Sequence, residues 1–476
     1  MQFNSATFIF LFLPLTIGLY YFVFKKTSLR NCFLFIASLA FYSWQEPYYV
    51  FLLLFVILAD YRFALKIEKI KVGDKKKAKK ITVLAVLINV CLLVVFKYSG
   101  FIISNSNRII NLSLSVPKFS FPLGLSFYLF QSISYLIDVY RGKGEAQKSF
   151  VDAGILIAFF PRLLSGPLVR CEEEQRAIKG EGKEDLSGGL KRFIVGLAKK
   201  MLIADQLSLI ANEAFKITNL GKLSVSFAWI GAIAFTLQIY YDFSGYSDMA
   251  IGIGRIFGFS FPENFNYPYI AKSMTDFWRR WHISLSNWFK EYIYIPLGGS
   301  RCRADKQVRN LFIVWLLTGI WHGASWNFIG WGLLHFFLLL IEKYMIKPEK
   351  FKKPVAQIIY RLYVIIAIIG TFAVFRGIGV KNTIQYGLAM FGLTHNVLVD
   401  ATAVMYAIEN KVLFVIACLG VTPVIPWIKK KLPRREALTI YSAAKMIQWI
   451  ILGMLVVFCV AKIKRMTYSP FIYFGF

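Results

Sequence analysis

Residues 261–301, FPENFNYPYIAKSMTDFWRRWHISLSNWFKEYIYIPLGGSR, are the densest run of polar and ionisable groups in an otherwise apolar chain. Across 276–294, Phe277, Trp278, Trp281, Leu285, Trp288, Phe289 and Tyr292 recur at helical spacing, with Arg280, Ser284, Asn287 and Glu291 on the opposite side. The spacing predicts one amphipathic helix rich in tryptophan and cations. Such a helix favours the plane of a membrane interface, its rings toward the acyl chains and its cationic heads among the headgroups. His282 is in register with Trp278, Leu285 and Phe289, so it is expected to point inward, where a polar ring needs a partner or a task.

Working outward, the surrounding chain is greasy on a scale that soluble proteins do not reach. Of 476 residues, 57% are hydrophobic and only 17% are charged, and the apolar residues come in long runs. That composition predicts an all-α, polytopic membrane protein. A formal net charge of +30 would suggest nucleic acid in a soluble chain. Here Lys and Arg cluster in short loops between apolar runs, so membrane lipids, and no nucleic acid, are the expected counterpart. The six cysteines are scattered without a CxxC pair, which indicates neither a zinc site nor a disulfide framework.

Apolar runs long enough to cross a bilayer lie near 6–24, 31–46, 48–64, 81–99, 119–139, 150–168, 192–212, 223–241, 308–341, 355–377, 411–428 and 440–461. They amount to roughly eleven to thirteen membrane elements at ~20 residues each, in one membrane domain spanning 1–476. The first run has no basic residue before it and Lys25–Lys26 after it, which reads as a retained span with its N-terminus outside. The basic clusters KIEKIKVGDKKKAKK after Leu65, KYMIKPEKFKK and KKKLPRR should be cytoplasmic, and the C-terminus outside, although Lys462, Lys464 and Arg465 pull the other way.

Two runs are poor simple spans. FFPRLLSGPLVR at 159–170 carries two prolines and a glycine, which predicts a re-entrant or broken element. The run 311–341 is too long for one untilted crossing of a ~30 Å core at ~1.5 Å per residue, and Gly319, Gly323, Gly330 and Gly332 offer places to break or pack closely. Broken backbone at membrane depth must be buried in protein or line a cavity, so both runs suggest an internal chamber.

Of the four histidines, His282 in RRWHISLSNW and His322 in TGIWHGASWNF sit among tryptophans. An ionisable group within the membrane is a functional hypothesis by default, because its burial costs free energy. A neutral imidazole could take a proton from a hydroxyl attacking an acyl carbon. The plain alternative is that each ring only bonds a backbone carbonyl. For His335 and His395, which lack a comparable setting, that structural reading is favoured.

Five stretches, PLGLSFYLFQSISYLIDVYRG (122–142), FFPRLLSGP, QIYYDFSGYSDMAIGIGRIFGF (238–259), the opening stretch and LTGIWHGASWNFIGWGLLH (317–335), resemble the membrane-bound O-acyltransferase family. The likeness is greatest to the bacterial branch typified by the membrane subunit of alginate O-acetyltransferase, with the D-alanyl transfer protein of teichoic acid synthesis a more distant relative. It is densest over 121–335. Phe336 departs from the glycine that often follows the second motif's histidine.

The resemblance implies that His322 is the catalytic histidine and His282 the second histidine of the motif, both near the narrow point of a funnel or tunnel within a ring of helices. Trp281, Trp321, Trp326 and Asn327 would line that site. No metal and no bound cofactor is implied; acetyl-CoA would be the cytoplasmic acyl donor, with Arg279, Arg280, Lys290, Arg301 and Arg303 as candidates for its phosphates or, equally, for lipid headgroups. Asp242, Asp248 and Asp276 could orient a histidine or pair with those arginines. The aromatic tail, 466–476, would offer Tyr473 as a transient acyl carrier, or serve only as an interface anchor. These implications describe an O-acetyltransferase of the bacterial cytoplasmic membrane, working with an extracytoplasmic partner protein on a polysaccharide. A glycan transporter or flippase, a D-alanyl transfer protein and a scaffold without chemistry are the alternatives.

Overall fold

The structure, a computed structural model, describes residues 1–117, 120–217, 220–424, 426–427, 437–465 and 471–472. Among them every regular element is a helix. Among the described residues four helices are long and apolar enough to cross a membrane, Lys75–Ile110, Trp326–Lys350, Pro354–Arg376 and Met446–Ile463. The pair Ala401–Glu409 and Lys411–Gly420, bent by 61°, makes a fifth if taken as one broken span. Only 28%, 28%, 44% and 11% of the apolar windows of the four are buried. The rest is outward-facing hydrocarbon, which lipid solvates and water does not. The chain is a multi-pass membrane protein.

The described residues group into two compact units. The first comprises Met1–Leu197 and Tyr246–Glu263. At its centre the helix Leu125–Arg141 is buried along nearly its whole length. Its polar side chains therefore need partners from neighbouring helices, and Gln131 donates to Glu174 at 3.1 Å. The basic segment after Leu65 is mostly helical, broken by a short turn. The helix Tyr49–Lys71 runs into it, and after a turn at residues 72–74 Asp74 caps the next helix, Lys75–Leu93, by accepting from the Lys77 N–H at 2.8 Å.

The FFPRLLSGP run is broken, as its prolines predict. The helix Phe150–Ala158 stops at Phe159, a four-residue helix Phe160–Leu163 follows, and the chain is then irregular up to Cys171–Ile178. The break is buried in protein: Arg162 is 4% exposed and pairs with Glu174 at 2.6 Å. A Cβ at Gly124, whose φ is +74°, would lie 2.5 Å from the Leu163 carbonyl oxygen, so glycine permits the broken element to sit against the start of the central helix.

The second unit comprises Ala198–Gly245 and Asn264–Ile472. Its centre is a helical hairpin cut from the overlong apolar run. The helix Ala304–His322 ends at Gly323, and Trp326–Ile341 returns alongside it. A Cβ at Gly319 would meet the Phe328 carbonyl oxygen at 2.5 Å, and one at Gly332 the Trp315 carbonyl oxygen at 2.5 Å. The two glycines thus let the backbones touch. Gly330 faces open space and plays no part in that approach.

The amphipathic stretch is not one helix. It consists of Met274–Arg280 and Ile283–Phe289, separated at Trp281–His282, with a π-helical turn Lys290–Tyr294 after them. His282 has φ +45°, a left-handed conformation that ends the helical register. Phe277 in the first helix and Leu285, Trp288 and Phe289 in the second are buried as the apolar spacing predicts, but Ser284, expected on the polar side, is buried with them.

Candidate active site

Both histidines are held in the second unit, and the same principle orients each ring. His322 is the last residue of its helix and 4% exposed. Its Nδ1 lies 2.7 Å from the Thr318 carbonyl oxygen one turn back. A carbonyl can only accept, so the proton sits on Nδ1 and Nε2 keeps its lone pair. Trp321, Trp331 and Phe375 surround the ring, at 4.8, 4.8 and 5.4 Å between centroids.

His282 is 1% exposed, and its Nδ1 is 3.2 Å from Asn264 Oδ1. The same oxygen accepts from the Ser284 backbone N–H at 3.2 Å and from Ser284 Oγ at 3.0 Å. An atom accepting a backbone N–H must be the amide oxygen, which fixes the side-chain orientation of Asn264 and puts the His282 proton on Nδ1. The Asn264 carbonyl meanwhile accepts the Ile283 N–H at 3.0 Å. One loop residue thereby starts the second short helix and sets the tautomer of the ring beside it. Trp321 links the pair, its centroid 6.0 Å from His282 and 4.8 Å from His322.

The remaining wall candidates separate. Trp281 is 2% exposed but packs among Phe265, Phe277 and Phe372, at 5.0 to 5.6 Å. Trp326 is 53% exposed at the start of its helix, so it does not enclose the histidines. Asn327 is turned to structural use, donating to the Gly377 carbonyl and to Thr383 Oγ1, each at 2.6 Å. Trp331, which sequence reasoning did not single out, takes the place expected of Trp326.

His335 also departs from expectation. Its setting is as aromatic as that of the other two, with Trp331, Trp278 and Trp315 centroids 4.8, 5.0 and 5.2 Å away. The Trp278 indole N–H donates to its Nδ1 at 3.3 Å. His395 is exposed in a turn.

The two short helices on either side of His282 also line a cavity of about 1070 Å³ whose walls include Lys272, Arg279, Arg280, Lys290, Lys343 and Arg361. Trp278 and Glu342 also line it. Three of the five cations singled out from sequence, Arg279, Arg280 and Lys290, are brought together there, joined by three that were not. Arg301 and Arg303 lie outside its lining; Arg303 pairs with Asp305 at 3.4 Å on the surface. Asp276 pairs with Arg280 at 2.9 Å, whereas Asp248 pairs with Arg192 at 2.8 Å and Asp242 with Lys200 at 2.6 Å, so none of the three orients a histidine through these bonds.

Glu342 fixes the cavity's floor. Its carboxylate accepts the N–H groups of Met274 and Thr275 at 2.6 and 2.9 Å and the Tyr360 hydroxyl at 2.8 Å, anchoring the first turn of the Met274–Arg280 helix. A carboxylate at a helix N-terminus is electrostatically favoured there. Tyr473 lies outside the described residues.

Two buried imidazoles, each with its proton held on Nδ1 and both facing Trp321, thus lie within a multi-pass membrane protein. A profile of the membrane-bound O-acyltransferase family matches residues 157–376. The chain is 43% identical to the probable alginate O-acetylase AlgI of Azotobacter vinelandii over 350 residues, 72% of this chain and 69% of that protein. It is 36% identical to the peptidoglycan O-acetyltransferase of Helicobacter pylori, covering 83% of this chain and 80% of the relative. To the teichoic acid D-alanyltransferase of Bacillus subtilis it is 30% identical, covering 48% and 60%. The chain belongs to the membrane-bound O-acyltransferase family, in its AlgI-like branch, and is an O-acyltransferase.

Proposed function

We propose that the protein takes an acetyl group from cytoplasmic acetyl-CoA and passes it through its core for O-acetylation of a cell-surface or secreted polysaccharide. The observation that carries this reading is the six-cation cavity built on the helix pair that holds His282. Free CoA presents a pyrophosphate and a further phosphate, and several fixed Arg and Lys heads suit such a ligand. The identity with two O-acetylating relatives favours acetyl over D-alanyl.

In this reading His322 Nε2 takes the proton of the attacking hydroxyl, and His282 positions the acyl group from across Trp321. The buried aromatic walls exclude water, which would otherwise compete for the thioester. No metal is needed, because a thioester is already activated. The chain's further apolar segments would complete a ring of roughly eleven to thirteen membrane elements in the bacterial cytoplasmic membrane. Both termini would lie outside, where an extracytoplasmic partner delivers the group to the polysaccharide.

The test is release of CoA from radiolabelled acetyl-CoA by the protein in nanodiscs, with its outer partner and acceptor present. His322→Ala is expected to lower turnover by about 10²- to 10⁴-fold, the usual yield of general-base catalysis. Label retained by the wild type and lost in Tyr473→Phe supports a tyrosine carrier. If the wild type moves glycan without consuming acetyl-CoA, the protein is a transporter and the reading fails.

A further inference from the structure

The bent helix pair of the second unit carries charge at a depth where lipid offers it no partner. Ser224 Oγ donates to Asp400 Oδ1 at 2.8 Å, and the N–H groups of Val225 and Ser226 donate to the carbonyls of Val397 and Leu398, each at 3.0 Å. The helix Val225–Ile256 and the pair Ala401–Glu409 and Lys411–Gly420 therefore start side by side. Further along, the Tyr241 hydroxyl donates to the Ala417 carbonyl at 2.7 Å. These two ties are equally far along both stretches of chain, so the bent pair follows the long helix down and does not turn back. At ~1.5 Å per residue the ties are roughly 25 Å apart, most of a hydrocarbon core of ~30 Å, and the break at Asn410 falls about half way between them.

Glu409 and Lys411 flank that break, and both are exposed. Among the described residues neither takes part in an ion pair. The side chains exposed around them are apolar, Val404, Met405 and Ile408 before the break and Val412, Val415 and Ile416 after it. Asn410 adds to the demand. Its Nδ2 returns to the Tyr406 carbonyl at 3.0 Å, and the helix after it starts without a side-chain cap. An acid, a base and an uncapped helix start are all costly against hydrocarbon.

Another copy of the same face meets all three needs. Two copies in one bilayer share their orientation, so a two-fold axis along the membrane normal brings Glu409 of each to the level of Lys411 of the other. With one charge of each sign on either side of Asn410, the face is self-complementary. Each Glu409 carboxylate would also meet the start of the other copy's Lys411–Gly420 helix, where the helix dipole favours an anion. We propose that the bent pair is the interface of a homodimer, with two Glu409–Lys411 ion pairs across the two-fold axis and the flanking apolar side chains packed around them. The inference does not depend on which acyl group the protein transfers.

The experiment uses the full-length protein, labelled with one dye per chain and reconstituted into lipid vesicles over a range of protein densities, where photobleaching steps count the chains in each complex. The wild type is expected to dimerise as density rises. Glu409→Lys and Lys411→Glu should each weaken the dimer by about tenfold or more, because like charges then face each other. Combining the two reversals should restore it to within about threefold of the wild type, the signature of a direct pair. Glu409→Gln keeps the shape and removes the charge; it should weaken the dimer by about tenfold and reports even if a reversal folds poorly. Thermal unfolding shows which variants are folded. A wild type that stays monomeric at every density overturns the proposal. So does a dimer as tight in Glu409→Lys and Glu409→Gln as in the wild type, or a folded double reversal that remains monomeric.

Discussion

Asn264 is the residue on which the most geometry converges, since its one amide oxygen serves the His282 ring and both donors of Ser284. Asn264→Ala should therefore lower kcat by about 10- to 100-fold, as losing the orienting partner of a functional histidine commonly does. It should also destabilise the fold by roughly 1–3 kcal/mol through the stranded Ser284 N–H. Activity measured beside thermal unfolding separates the two losses. His282 itself was legible in sequence as an inward ring. Asn264 was not, because spacing within an element shows which side a residue faces, whereas the partner lies in an irregular loop whose path only the fold determines. Trp331 and the aromatic setting of His335 were hidden for a related reason: they depend on which face the returning arm of the hairpin presents.

At the level of elements, the hairpin Ala304–His322 and Trp326–Ile341 sets where His322 stands, and its close approach depends on two glycines. Gly332→Val would drive a side chain into the Trp315 carbonyl and the Gly319 backbone. Neither can move aside as a side chain could, so a cost of about 1–3 kcal/mol is expected, with loss of activity as the His322 helix shifts. Gly330→Ala, on the same helix yet in open space, should be neutral or stabilise by up to about 1 kcal/mol. Thermal unfolding of both variants in one detergent checks the contrast. The existence of this break was readable from length alone, and the break at FFPRLLSGP from its prolines. The division at Trp281–His282 was invisible, because neither proline nor glycine marks it and apolar residues spaced as in one helix, Phe277, Leu285, Trp288 and Phe289, are buried on both sides of it.

For the whole molecule, composition established the membrane class, while charge had to be located before it meant anything. Five cations near the amphipathic stretch looked equivalent in sequence, yet only Arg279, Arg280 and Lys290 line the cavity. Arg279→Ala combined with Lys290→Ala is expected to raise KM for acetyl-CoA by roughly 10- to 100-fold, the loss of one or two contacts to a charged phosphate. Arg301→Ala with Arg303→Ala should leave KM unchanged, and steady-state kinetics on the two pairs tests the assignment. The burial of both histidines carries a consequence for cellular economy. With one ring 4% and the other 1% exposed, both imidazoles are shut off from bulk water. On the acetyl-transfer reading proposed above, a thioester brought against them would be spared hydrolysis, and the enzyme could idle with its donor loaded when no acceptor is at hand, without leaking the cell's acetyl supply.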